Sequence, residues 1–154
     1  MIKKILIPTD FSPSAQYAIG YAISLNKLFK ARLYLLHVLQ DFTEFSEFTL
    51  NLSFLPELYA EFEQSATKRL EEIATTKIPS DTTCDTYIVH GVPFNEIINF
   101  ALEEQIDLIV IGTHGRTGLK HMLFGSTAEK VVKKAPCSVL VARKPEEDSL
   151  TVQG

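Results

Sequence analysis

The fold is decided by residues 108–118, LIVIGTHGRTG, in which an apolar run ends abruptly in a glycine-rich loop. A helical pattern over residues 126–134 begins soon after this loop. Glycines let backbone N–H groups approach an anion without a Cβ in the way. A helix start adds unpaired N–H groups and a positive charge of roughly half a unit. Strand, loop and helix in this order therefore predict a phosphate-binding element.

The loop and the helix start lie at defined intervals. Two residues separate Gly112 from Gly115, and nine residues separate Gly115 from Gly125, which two hydroxyl residues follow. This spacing is neither that of Walker A nor that of the Rossmann fingerprint. We expect the glycines and the helix start to hold phosphate, with the two hydroxyls as further donors and candidate N-caps. The histidine and arginine can add charge or simply point to water. The candidate residues are Gly112, His114, Gly115, Arg116, Gly125, Ser126 and Thr127.

The spacing G-x2-G-x9-G-S/T resembles, at every defined position, the nucleotide-binding motif of the universal stress protein family. The likeness extends from residues 5–10, ILIPTD, to residues 137–141, CSVLV. In that family, a Pro-Thr-Asp after the first strand and a valine ending the second strand line the adenosine pocket. The matching residues here are Pro8, Thr9, Asp10 and Val38. The resemblance implies ATP with Mg²⁺, or a related adenine nucleotide, as the ligand.

Five strand patterns alternate with four helical patterns along the chain. Apolar runs predict strands at residues 5–8, 33–39, 83–89, 108–111 and 138–142, and helical spacing predicts helices at 13–29, 58–74, 93–102 and 126–134. The nearly unbroken apolar run of the second strand is typical of a strand buried on both faces. We expect an α/β fold: an open, doubly wound, Rossmann-like parallel sheet with helices on both faces. Its natural strand order is 3-2-1-4-5, which the family resemblance also implies.

In that order, the first and fourth strands are neighbours whose connections leave toward opposite faces of the sheet. Ligands in such sheets bind beyond the carboxyl ends of the strands at this switch point. The loop that carries Asp10 and the glycine loop should therefore meet in one crevice. An ionised Asp10 only accepts hydrogen bonds, so it cannot bind a bare phosphate. It can bind a ribose hydroxyl or an adenine amino group, or hold a metal attached to the phosphates.

The composition is that of an ordinary soluble globular protein of 154 residues, with 22% charged residues and a net charge of −4. The basic residues are scattered, which argues against a nucleic-acid interface. No apolar run approaches the roughly 20 residues that cross a bilayer, and a signal peptide is not expected. We predict one cytoplasmic domain over residues 1–144 with a polar tail at 145–154. Cys84 and Cys137 are expected to be free thiols in a reducing compartment.

Three classes of function stay open. The first is a nucleotide-binding module that senses or stores ATP during stress. The second is a slow ATPase or a nucleotidyl-chemistry enzyme on the same fold, although Asp10 and His114 are candidate bases by residue type only. The third is a flavodoxin-like or receiver-like module, although residues 89–91 offer no acidic phosphorylation site. We assign no catalytic residue, and we interpret His37 as a strand-end histidine rather than a ligand.

Two further segments carry expectations about packing and assembly. Residues 40–55 hold four phenylalanines without a clear period. We favour packing of these rings onto the domain over a lid or a partner surface. The last strand should be a sheet edge, with three apolar residues at 139–141 and no proline or lysine inside it. Universal stress proteins commonly dimerise through this strand, so the resemblance implies a two-fold homodimer.

Overall fold

The computed structural model describes residues 1–40, 55–114 and 124–145. The elements in chain order are β1 (Lys4–Pro8), α1 (Pro13–Phe29), β2 (Arg32–Leu39), α2 (Leu55–Thr76), β3 (Cys84–His90), α3 (Pro93–Glu103), β4 (Leu108–Gly112), α4 (Ser126–Lys134) and β5 (Ser138–Ala142). All pairings between neighbouring strands are parallel, and the order is β3-β2-β1-β4-β5. The doubly wound α/β fold expected from the sequence is therefore confirmed. The phenylalanines of residues 41–54, most of the glycine loop at 115–123 and the tail at 146–154 lie outside the described residues.

The sheet has a hydrophobic core on each face. Ile5 and Ile7 of β1 face one side, where they pack in a cluster with α1 and α2. Leu6 faces the other side, in a cluster with α3 and α4. All three side chains are fully buried, which explains why β1 and its neighbours are apolar at successive positions. Because α1 and α4 cover opposite faces, the chain reverses its winding between β1 and β4, as expected.

The first turn of α1 is capped as its sequence predicts. Ser12 Oγ accepts a hydrogen bond from the backbone N–H of Ala15 at 3.2 Å, and Pro13 occupies the first turn. A capping hydroxyl and a proline at this position both favour helix initiation, because the proline has no N–H to leave unpaired. The loop that precedes α1 is therefore closed by a rigid helix start.

The buried face of α3 differs from the expected one at its end. Helical spacing places Leu102 on the apolar face of α3, but this side chain is 57% exposed. Phe100 is buried instead, with its ring edge-on to Tyr34 and Tyr87 at centroid distances of 6.1 and 4.9 Å. Phe100 thus packs on the aromatic pair of β2 and β3, whereas Leu102 is largely exposed to solvent.

The long helix α2 divides into two halves. Its predicted apolar stripe is buried at Ala66, Leu70 and Ile73, which pack on the sheet. None of residues 56–65 is buried, and Phe62, which lies on the same apolar stripe, is 45% exposed. Only the second half of the helix therefore packs on the sheet. The first half lines the cleft described below.

Candidate functional site

A cleft of about 580 Å³ lies at the carboxyl ends of β1, β2 and β4. This volume suits a small organic ligand, for which pockets of roughly 300–1,000 Å³ are usual. Nine of the eleven candidate residues line it: Pro8, Thr9, Asp10, Val38, Gly112, His114, Gly125, Ser126 and Thr127. The other two, Gly115 and Arg116, lie outside the described residues. The two loops expected to meet at the switch point thus contribute to the same cleft.

The loop after β1 is held in one conformation by its own side chains. The backbone N–H of Phe11 donates to Thr9 Oγ1 at 3.1 Å, and that of Ser12 donates to Asp10 Oδ1 at 2.9 Å. Such side-chain acceptors satisfy backbone N–H groups that would otherwise have no partner in the loop. Phe11 adopts φ 65°, a left-handed conformation that bulky residues rarely take and that often marks a functional loop. The half-buried Asp10 is therefore fixed at the cleft wall.

His37 supports the same loop from β2. Its side chain is buried, its Nδ1 lies 2.7 Å from the carbonyl oxygen of Thr9, and its ring centroid lies 4.5 Å from that of Phe11. A carbonyl oxygen only accepts, so Nδ1 carries the proton and donates. His37 is in β2, as expected, and it also lines the cleft. No local motif signals this role, because its partner is 28 residues away in the chain.

The end of β4 packs tightly against the first turn of α1. A Cβ added at Gly112 would lie 2.7 Å from the carbonyl oxygen of Ser14, closer than real Cβ contacts allow. A hydrogen bond joins the same two segments, because the backbone N–H of His114 donates to Ser14 Oγ at 3.2 Å. Glycine at 112 is therefore required by packing in addition to any role in ligand binding. This packing joins the strand end to the helix that follows the Asp10 loop.

The start of α4 forms another wall of the cleft. Gly125 is its N-cap, with φ −68° and ψ 161°, and no side chain caps the helix. Ser126 and Thr127, expected as candidate caps, are instead its first helical residues. The reason lies in the backbone, because the N–H of Gly125 donates to the carbonyl of Thr113 at 2.6 Å and anchors the cap to the end of β4. The first-turn N–H groups and the positive end of the helix dipole remain for an anion.

A cation from α2 completes the described cleft. Arg69 is the one lysine or arginine among the described lining residues. Its guanidinium carbon lies 4.1 Å from the centroid of the Phe11 ring. Cation–π contacts of this kind contribute roughly 0.5–1 kcal/mol at exposed sites. Arg69 thus ties α2 to the Asp10 loop, and neither its position nor that of Phe11 follows from the sequence motif.

The two cysteines supply no nucleophile to this cleft. Cys84 and Cys137 are free, half-buried and absent from its lining. Burial, with a smaller contribution from Asp85, raises the pKa of the Cys84 thiol to about 11. Burial, followed by Asp107, also raises the pKa of Cys137. Because the thiolate is the reactive form, both groups are poor nucleophiles at neutral pH.

The described parts of the chain contain neither a metal site nor a membrane-spanning helix. Within residues 1–40, 55–114 and 124–145, no three histidine, cysteine, aspartate or glutamate side chains are grouped so as to hold a metal ion. None of the helices described there is long and apolar enough to span a bilayer. The cleft is thus distinguished by its carboxylate, its aromatic and cationic wall, and its helix start.

Comparison with known proteins places this cleft in a family context. The model of the universal stress protein family matches residues 1–143. The universal stress protein MJ0531 of Methanocaldococcus jannaschii is 39% identical over 96% of this chain and 86% of its own length. MJ0577 of the same organism is 33% identical over 94% of this chain and 96% of its own length.

Solved structures give the same result for the fold. The structure of MJ0577 superposes with a TM-score of 0.84 at 34% identity, covering 95% of this chain and 99% of that one. An Arabidopsis thaliana universal stress protein family protein with AMP bound gives a TM-score of 0.66 at 18% identity, over 97% of each chain. A universal stress protein in complex with cAMP gives 0.60 at 19% identity, over 92% of this chain and 96% of that one. The last two likenesses concern the fold alone.

Proposed function

The chain belongs to the universal stress protein family, and from this membership we infer that its cleft is an adenine-nucleotide site. We propose ATP with Mg²⁺ as the ligand and nucleotide-dependent sensing or regulation in a stress response as the role. One observation carries the proposal: a hydrogen-bond-accepting carboxylate, Asp10, and an uncapped helix start at Gly125 line the same cleft. AMP and cAMP in two proteins of the same family and fold lend support. Family membership also argues against the flavodoxin-like and receiver-like alternatives.

The proposed binding mode follows from charge. The phosphates lie over the start of α4, where the N–H groups of Ser126 and Thr127 and the helix dipole attract anions. The nucleoside lies toward Pro8, Asp10 and Val38, where an acceptor stands beside apolar side chains. Gly115 and Arg116, which the motif also assigns to the phosphates, are retained as proposed ligands from the sequence alone.

The first test removes one hydroxyl from the phosphate wall. Ser126→Ala is expected to weaken ATP binding by roughly 0.5–1.5 kcal/mol, or by up to about 3 kcal/mol if the phosphate charge strengthens the hydrogen bond. The loss stays partial because the backbone N–H groups of α4 are unchanged. Titration calorimetry measures it, with Ser24→Ala on the exposed face of α1 as the matched control. Equal ATP affinity of Ser126→Ala and the parent would remove this hydroxyl from the site.

The second test concerns hydrolysis. Among the described residues, the cation that lines the cleft, Arg69, contacts the Asp10 loop rather than the α4 start. No described base and cation therefore pair beside the proposed phosphate position, and phosphoryl transfer needs both positioning and charge stabilisation. We expect ATP turnover far below about 1 s⁻¹, an ordinary enzyme rate. Faster phosphate release that Asp10→Ala abolishes would favour the ATPase alternative.

The third test concerns assembly. β5 pairs only with β4 and forms one edge of the described sheet, with Val139, Leu140 and Val141 half-buried. An unprotected apolar edge invites pairing with a second chain. We propose a two-fold homodimer through β5. Sedimentation velocity at tens of micromolar protein with ATP should give a dimer, and a monomer under these conditions would contradict the proposal.

The proposal extends to organisation and location. We propose that residues 1–144 act as one nucleotide-binding domain followed by a polar tail at 145–154. We also propose a cytoplasmic location, as expected for a chain with two isolated cysteines rather than a disulfide framework. Fractionation of the cells that express the protein would test the location directly.

A further inference from the structure

α2 presents a face to the cleft that the sheet does not use. The residues of α2 that line the cleft fall on one side of the helix: Tyr59, Phe62, Ser65, Ala66 and Arg69. Of these, only Ala66 is buried. The apolar stripe of α2 thus extends beyond the sheet into the first half of the helix, where residues 56–65 are not buried in the core. We call this set of five residues the α2 wall.

Phe62 is the most informative residue of the α2 wall. It is 45% exposed, although it occupies an apolar stripe position and lines a cleft. Phe29 and Phe124 have similar exposure, 38% and 40%, but neither lines the cleft. A large apolar ring exposed inside a cleft, beside convergent polar groups, is a mark of ligand contact. The ring is also a flat surface, which selects for a flat ligand group.

The position of the α2 wall relative to the site is fixed by a stack of side chains. Arg69 lies over Phe11, and Phe11 lies beside His37, which donates to the carbonyl of Thr9. The wall is thereby tied to the loop that carries Asp10. The anion-attracting start of α4 is a separate wall of the cleft. The apolar and aromatic surface and the phosphate-binding surface are therefore distinct, and together they fit a ligand with one flat end and one anionic end.

We propose that Phe62 is the stacking surface for the base of the bound nucleotide and makes the cleft prefer purine over pyrimidine nucleotides. This inference rests on the proposed function, because it assigns one end of the same ligand. Every base can stack on an aromatic ring, but the stacking free energy increases with the area of the base. Adenine therefore gains more from Phe62 than cytosine does. Arg69 acts as a positioning residue, since it holds the wall against Phe11.

The experiment compares three ligands on four proteins. Calorimetry with ATP, CTP and inorganic tripolyphosphate is carried out on the parent, Phe62→Ala, Phe62→Leu and the matched control Phe29→Ala. We expect Phe62→Ala to weaken ATP binding by about fivefold to 100-fold, the range that base stacking supplies. CTP binding should weaken less, tripolyphosphate binding should be unchanged, and Phe29→Ala should match the parent with every ligand.

A direct readout separates stacking from apolar contact. Bound ATP should show upfield shifts of the adenine H2 and H8 protons from the ring current of Phe62. Phe62→Leu keeps an apolar side chain without a ring, so it should abolish these shifts. Unchanged ATP affinity in Phe62→Ala, an equal loss for tripolyphosphate, or unchanged proton shifts in Phe62→Leu would each overturn the inference while leaving nucleotide binding intact. Failure of the parent to bind ATP at all would instead overturn the proposed function and this inference with it.

Discussion

Gly112→Ala should destabilise the protein by about 1–3 kcal/mol, the usual cost of forcing extra atoms into a packed interior. The new Cβ would lie 2.6 Å from Ser14 Oγ, 2.7 Å from its carbonyl oxygen and 2.8 Å from its carbonyl carbon. Two of these three atoms belong to the backbone of α1, so a rotamer change cannot relieve the clash. The strand end or the helix must move. Gly112→Val, with a larger side chain, should cost more.

The matched control is a glycine within α1, the helix that Gly112 contacts. Nothing lies within 4 Å of a Cβ added at Gly20, which is exposed in the helix interior. Gly20→Ala should therefore stabilise the protein, by about 0.5–1 kcal/mol, because alanine is the better helix former. Urea unfolding of both variants measures the two changes in the free energy of unfolding, which should have opposite signs. The dependence of this free energy on urea concentration should be unchanged. A Gly112→Ala protein as stable as its parent would contradict the close approach of β4 to α1.

A double variant locates the clash. Ser14→Ala removes the hydroxyl that lies nearest to the new Cβ, but it leaves the carbonyl group of the same residue in place. Ser14→Ala also removes the acceptor of the His114 N–H, so the double variant is compared with Ser14→Ala alone. In that background Gly112→Ala should still lower the stability, although by less than in the parent. Unchanged stability in that background would mean that the hydroxyl alone excludes a side chain at this position.

The fold was predictable because its signals are local. Largely apolar strands, alternating helices and a capped first helix are each readable within about 20 residues, and the right-handed crossover rule leaves few ways to arrange them. The position of the α4 start beside the end of β4 was predictable for the same reason, since the two elements are close in the chain. The N-cap of α4 was not, because a hydrogen bond from Gly125 to Thr113, across the loop, decides where the helix begins.

The side of the cleft formed by the Asp10 loop and α2 depends on contacts between distant segments. His37 reaches Thr9, and Arg69 reaches Phe11, across gaps of 28 and 58 residues, and neither pair leaves a pattern in the sequence. The exposure of Phe62 could not be predicted for a different reason. Helical periodicity reports which face of a helix is apolar, but it does not tell whether a core or a ligand covers that face. Which of the two applies depends on how far α2 extends beyond the sheet.

Asp10→Ala should lower ATP affinity by about tenfold to 100-fold, the effect of losing a hydrogen bond to a charged group of roughly 1.5–3 kcal/mol. Part of that loss could come from the loop, because Asp10 Oδ1 accepts from the N–H of Ser12 at 2.9 Å. Asp10→Asn separates the two effects. The amide oxygen can still accept from Ser12, so the loop keeps its turn, while the carboxylate charge is gone. A nearly equal loss in both variants assigns the effect to the charge of Asp10 rather than to the loop.

The partner of that charge is identified by ligands that lack the nucleoside. If Asp10 accepts from ribose or adenine, Asp10→Ala should bind tripolyphosphate as tightly as the parent does, with or without Mg²⁺. If Asp10 holds a metal attached to the phosphates, the loss should appear with tripolyphosphate as well, and only while Mg²⁺ is present. Calorimetry with Mg²⁺ and then with a chelator distinguishes the two. Unchanged ATP affinity in both Asp10 variants would show that this carboxylate forms the turn but does not contact the ligand. Neutralising a carboxylate that contacts the ligand should change the affinity.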